Sequence, residues 1–151
     1  LSVAELEALN LGMAIVGEAA DPDLKSAALS LADKIDAVLP SQVVAEADQW
    51  KFAVYPFADA ARGFSHMPTL RAAIKARQML RIVYTSKDSV VTQRVIRPLH
   101  MEYWGRIWTL TSWCELREAH RVFRVDLIQS AEALPELFTD EPGKTLSDYV
   151  P

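Results

Sequence analysis

Arg94, Arg97, Arg117, Arg121 and Arg124 lie in the stretch from 94 to 124, with Trp108 and Trp113 among them. A guanidinium is planar, permanently charged and forked, so it recognises phosphate or carboxylate bidentately and stacks on aromatic or base planes. Arginine interleaved with aromatics is the equipment for binding single-stranded nucleic acid or a phosphorylated ligand. The spacing of Arg117, Arg121 and Arg124, four then three, also makes a solvated stripe on a helix. Trp108 and Trp113 are an odd number of residues apart, so on a strand they take opposite faces and at most one serves as a stacking platform.

Other chemistry is poorly supplied. The five glycines, at positions 12, 17, 63, 105 and 143, form no phosphate-cradling loop. There is no Gly-x-Ser-x-Gly elbow and no His-Glu-x-x-His pair. His66, His100, His120 and Cys114 lie too far apart in sequence for a ligand-spaced metal pair. Cys114, beside Trp113 and near Leu116, reads as a core thiol rather than a nucleophile. The expectation is a protein that is not an enzyme, with no cofactor and no metal.

Charge is segregated along the 151 residues. Positions 1–61 carry 3 basic and 10 acidic side chains, a net of −7. Positions 62–127 carry 12 basic and 5 acidic, net +7, and ten of the 12 are arginine. Positions 128–151 carry 1 and 5, net −4, giving −4 overall. Two compatible readings of this pattern stand side by side: an acidic helical region docked on a basic one, and a basic block that takes an anionic ligand. The net acidity argues against wrapping duplex DNA with the whole chain. A 50% hydrophobic content excludes disorder, and no apolar run is long enough to span a membrane. The single cysteine excludes a disulfide framework and fits a reducing, cytoplasmic setting. The chain opens with Leu-Ser, without an initiator Met and just before a helix, which suggests a piece of a longer protein.

The elements that position these residues follow from periodicity. Ser2-Val3-Ala4-Glu5 is a capping box, and Leu6, Leu9, Met13 and Val16 follow at helical spacing, which predicts a helix over 3–19. Asp21-Pro22 starts a second, over 22–39, with Leu24, Ala28, Leu31, Ile35 and Val38 as one stripe. Together they make a hairpin that must bury its apolar stripes against another surface. Residues 41–66 read as a linker with a short helix and an edge strand, and Gly63 to His66 as a loop. Pro68 starts a third helix. After Gln78 the period falls to two, and five strands are expected: Leu80–Thr85, Val90–Arg97, Leu99–Tyr103, Ile107–Trp113 and Val122–Ile128, with a tight turn at Gly105-Arg106. Without a crossover helix they form an antiparallel sheet, suited to a small SH3- or Sm-like barrel. Residues 131–150 read as a tail docked by Leu134, Leu137, Phe138, Leu146 and Tyr149. The fold class is therefore α+β: a helical region over 1–66, a small barrel over 67–130 and a C-terminal extension over 131–151.

Several of these runs together resemble the WYL domain. They are Leu70-Arg71-Ala72-Ala73-Ile74, Ile82-Val83-Tyr84, Arg94-Val95-Ile96-Arg97-Pro98-Leu99 and Trp108-Thr109-Leu110. Trp113-Cys114-Glu115-Leu116-Arg117, Arg121 and Phe123-Arg124-Val125-Asp126 continue the pattern in order. Glu5 to Leu9, Lys34-Ile35 to Pro40, and Gly143 to Tyr149 are similar to the flanking regions of bacterial transcriptional regulators of the YafY/DeoR-like type. Two positions depart from the pattern: Thr109 stands where the family name places Tyr, and Leu127 where an Arg often precedes the final Ile.

The resemblance implies an Sm-like SH3 barrel that senses single-stranded nucleic acid or a nucleotide-like effector. Its ligand-binding positions, matched residue by residue, are Tyr84, Arg94, Thr109, Arg117, Arg121 and Arg124. It also implies a homodimer, no membrane association, and contact with duplex DNA only through an N-terminal helix-turn-helix that this chain lacks. Strand alternation places Arg124 opposite Phe123 and so outside the core. The rival expectation is a module that only dimerises or docks a protein, with the arginines paired to acidic helices.

Overall fold

Two helix starts are written in side-chain chemistry, and a computed structural model, which describes residues 2–18, 21–38, 55, 58–104 and 107–151, shows both. Helix α1 spans Val3–Glu18 and α2 spans Pro22–Val38. At the first, the Ser2 amide donates to Glu5 Oε1 at 2.9 Å and the Glu5 amide donates to Ser2 Oγ at 3.1 Å, a reciprocal cap. At the second, Asp21 Oδ1 accepts from the amides of Asp23 and Leu24. The two helices pack on each other as the expected hairpin.

Helix α3 spans Ala60–Ala76 and corrects two expectations. Gly63 to His66 is helical rather than a loop, and Pro68 lies inside the helix rather than at its start. Asp59 is the true N-cap, its Oδ1 accepting from the Arg62 amide at 2.9 Å. The cause is tertiary contact. A Cβ at Gly63 would meet Asp126 Cα at 3.0 Å and the Val125 carbonyl oxygen at 3.1 Å, so glycine is what lets the helix backbone lie directly on a neighbouring turn. The helix ends at Arg77, whose left-handed backbone (φ 53°) returns its amide to the carbonyls of Ala73 and Ile74. The short helix and edge strand expected over 41–57, and the turn at Gly105-Arg106, fall on positions outside the described residues, Tyr55 apart.

The sheet has five antiparallel strands: β1 Gln78–Thr85, β2 Val91–Tyr103, β3 Trp108–Cys114, β4 Ala119–Arg124 and β5 Ile128–Leu137. Their order is β4-β3-β2-β1-β5, so β4 and β5 are the two ends of the ladder. The expected second and third strands are one strand, β2. The β1 ladder stops at Leu80↔Ile96, and β2 continues against β3 with a register shift between Pro98 and His100. Past Ile96 a proline costs β2 no bond to β1, which is why Pro98 does not break it. The expected fifth strand breaks at a 3-10 turn, Val125–Leu127. Residues from Ile128 onward, expected as a tail from 131, instead pair with β1 from Tyr84↔Ile128 to Gln78↔Leu137.

Alternation buries Leu80, Ile82 and Tyr84 of β1 and Ile96 of β2 with Leu110, Cys114 and Phe123 in one core. Met67, Leu70 and Ala73 of α3 cap that core. Buried apolar area of this kind supplies the main favourable contribution to folding.

Candidate functional site

The strands bring Tyr84, Arg94 and Arg121 to one pocket and leave the other three expected positions outside it. The pocket has a volume of about 410 Å³. Its floor comes from Tyr84 of β1, Arg94 of β2 and Phe123 of β4. Lys87 and Asp88 of the β1–β2 turn, Arg121 of β4, His120 and Tyr149 complete its rim.

Arg94 is the unusual member. Its residue is 6% exposed. Its Nε donates to Thr92 Oγ1 at 3.2 Å and its Nη1 approaches the Cys114 sulfur at 3.5 Å. Among the described residues no carboxylate pairs with it. A buried guanidinium met only by a hydroxyl and a thiol is incompletely compensated, because neither partner carries charge. Lys87 and Arg121 are exposed, and among the described residues neither pairs with a carboxylate. Among the described residues Asp88 is the only acid on the rim. The pocket is thus net cationic, which suits an anion.

Tyr84 is 8% exposed and packs edge-on to Phe123, with ring centroids 4.9 Å apart. Its hydroxyl accepts the backbone N–H of Arg124 at 3.0 Å. Burial pushes its phenol pKa up to about 12. The phenol therefore stays neutral well into the alkaline range.

Arg124 is not at the pocket. It lies on the face of β4 opposite Phe123, as alternation requires, yet that face is covered too, so the expectation of an outer position is corrected: Arg124 is 3% exposed. Its Nε and Nη2 grip Asp126 at 2.9 and 2.6 Å, and its guanidinium lies 4.9 Å from the Tyr55 ring centroid. Thr109 is 1% exposed, opposite Arg124 in the β3–β4 ladder, and its hydroxyl accepts from Trp104 Nε1 at 2.8 Å. Both are held by the protein itself. Arg117 sits exposed in the β3–β4 turn, outside the pocket lining. Arg97 is spoken for as well, bound to Glu115 at 2.7 Å and Glu141 at 3.0 Å. Those hydrogen bonds raise its pKa against the opposing effect of burial.

Sequence reasoning missed Lys87, His120 and Tyr149. Lys87 read only as a turn residue. His120 and Tyr149 are distant in sequence and meet because the tail folds back. Trp108 and Trp113 do take opposite faces: Trp108 is in the core, while Trp113 packs edge-on to His120 at 5.2 Å. Cys114 lies in the core as a free thiol. Among the described residues no cluster of three metal-ligating side chains occurs, and no helix is long and apolar enough to cross a membrane.

Residues 65–133, the greater part of α3 through the first half of β5, match the family model of the WYL domain, so that domain is present. Among solved structures the chain is similar to proteasome accessory factor B/C (PafBC) of Arthrobacter aurescens, at 23% identity and a TM-score of 0.49. The similarity covers 91% of this chain and 21% of that one, so the chain spans about a fifth of that protein's length.

Proposed function

We propose that this chain is the effector-sensing portion of a bacterial transcriptional regulator, and that its WYL domain takes a nucleic-acid or nucleotide-like anion in the pocket between β1, β2 and β4. The observation that carries the reading is Arg94: a buried guanidinium lining the pocket, without a carboxylate partner among the described residues, beside Arg121 and Lys87. An anionic ligand supplies the missing countercharge. Tyr84 and Phe123 form the floor, and Arg121 with Lys87 draws the ligand in by long-range attraction.

The ligand acts by linkage. It shifts the regulator between arrangements only by as much as it binds one better than the other. Helices α1 and α2 serve as the dimer contact, since Leu11, Ile15, Leu24, Leu29, Leu31 and Val38 are exposed apolar residues on this hairpin. DNA reading is assigned to a helix-turn-helix elsewhere in the regulator, because among the described residues the net-basic helix, α3, packs on the core and engages Glu7 through Arg71. The setting is the cytoplasm, and no catalysis is involved.

The test is titration with short single-stranded oligonucleotides at several salt concentrations. Affinity should fall as salt rises, and Arg121→Ala should weaken it. The second reading, a module that dimerises or docks protein without a ligand, is favoured by the ion pairs that already engage Arg71 with Glu7, Arg97 with Glu115 and Glu141, and Arg124 with Asp126. A chain that forms dimers but binds no oligonucleotide or nucleotide would establish that reading instead.

A further inference from the structure

The tail after β5 does more than cover the sheet, because it contributes a wall to the pocket. Phe138 anchors its start, 9% exposed, with its amide donating to the Arg77 carbonyl at 2.8 Å. Glu141 then meets Arg97 and Lys144, and Lys144 Nζ lies 5.5 Å from the Trp113 ring centroid. Thr145 and Asp148 form a capping box around a 3-10 turn, Leu146–Asp148, and Asp148 also accepts from the Gly143 amide at 2.8 Å. This turn presents Tyr149 beside His120, with centroids 5.6 Å apart and planes inclined by 52°. His120 Nε2 lies 2.9 Å from the Thr145 carbonyl oxygen, which can only accept, so that nitrogen carries the proton. Trp113 packs T-shaped against the same histidine, with centroids 5.2 Å apart. The Thr145 carbonyl and two aromatic neighbours thereby hold the His120 ring.

The pocket so formed has two unlike parts. Arg94, Arg121 and Lys87 are cationic, and His120, Tyr149, Tyr84 and Phe123 are aromatic. Its volume, about 410 Å³, is that of a single small-molecule site rather than a groove for a long strand. Bare phosphate or a sugar phosphate would use only the cations. A base attached to the phosphate would also use the rings, and base–aromatic stacking is worth about 1–3 kcal/mol per base.

The geometry points to Tyr149, held by the C-terminal tail against His120, as the residue that makes this pocket prefer a base-bearing phosphate over a phosphate without a base. This inference rests on the anion-binding reading above and adds the ligand's second chemical part and the residue that selects it. Tyr149 is a specificity residue; Arg94 and Arg121 hold charge.

Calorimetric titration of the full chain with adenosine 5′-monophosphate and with ribose 5-phosphate, which carry the same phosphate, tests it. The nucleotide should bind roughly tenfold more tightly. Tyr149→Ala should bring the ratio close to one and leave ribose 5-phosphate affinity within about twofold, whereas Tyr149→Phe should keep the preference. Deleting residues 144–151 should reproduce Tyr149→Ala. Equal affinity of the two probes for the unmodified chain overturns the inference and leaves the anion site standing. So does a Tyr149→Ala variant that weakens both probes equally. Binding of neither probe overturns both this inference and the reading on which it rests.

Discussion

Arg94 and Cys114 meet diagonally across the β2–β3 pair, the guanidinium Nη1 3.5 Å from the sulfur of a thiol that is fully buried. A thiol is a weak acceptor, so this contact orients the arginine without compensating its charge. Arg94 is therefore the residue on which the proposed anion site turns.

Replacing it separates the two roles. Arg94→Met keeps much of the aliphatic volume and removes the charge, and exchanging an uncompensated buried charge for an apolar group is often neutral or stabilising. The expected outcome is a denaturation midpoint unchanged or raised, with oligonucleotide and nucleotide binding lost. A midpoint that falls sharply would show that Arg94 is mainly structural.

Arg121 and Arg124 should behave oppositely although both lie on β4. Arg121 is exposed at the pocket rim, so Arg121→Ala should weaken anion binding and move stability by less than about 0.5 kcal/mol. Arg124 and Asp126 form a largely buried pair, with side chains 3% and 16% exposed. Asp126→Ala leaves the cation without this partner and should cost on the order of 3 kcal/mol, read by urea denaturation. Ligand affinity of the folded fraction should change little.

Two glycines in helices should give opposite signs. Gly63→Ala drives a methyl group into backbone atoms of Asp126 and Val125, and such overpacking costs about 1–3 kcal/mol against a helix-propensity gain of about 1. Gly12 has nothing within 4 Å of a built Cβ, so Gly12→Ala should stabilise by up to about 1 kcal/mol. Paired thermal melts test both.

Tyr84 predicts an alkaline transition. Its folded pKa, about 12, lies above the ordinary value of 10.0, so the folded state holds the phenolic proton more tightly than the unfolded chain. The resulting stability is complete below pH 10 and is lost as pH rises toward 12. Absorbance at 295 nm should show one tyrosine titrating late, and Tyr84→Phe should remove it. The same variant leaves the Arg124 amide without its acceptor, at a cost of about 1–3 kcal/mol.

Local chemistry made some elements legible and hid others. Helices α1 and α2 could be read because their caps lie within four residues of sequence. Helix α3 was misplaced because Gly63 and Pro68 look like breakers, and only contact with Asp126 explains the glycine. Strand β5 is hidden twice: the alternating run from Val122 to Ile128 conceals the 3-10 turn, and Ala131, Glu132 and Ala133 are poor strand formers held by pairing with β1. The site was legible in part. Arginine spacing shows abundance, but not that Arg97 and Arg124 have carboxylate partners while Arg94 has none among the described residues. His120 and Tyr149 meet only through the fold of the tail.

The close approach at Gly63 has a mechanical consequence. Leu127 lines the pocket, and its neighbours Val125 and Asp126 lie against bare helix backbone, with no side chain between to yield. Helix α3 in turn grips α1 through Arg71 and Glu7. A shift of the Val125–Asp126 backbone would therefore bear directly on α3, and an added methyl at position 63 would not cushion that joint but prise it open.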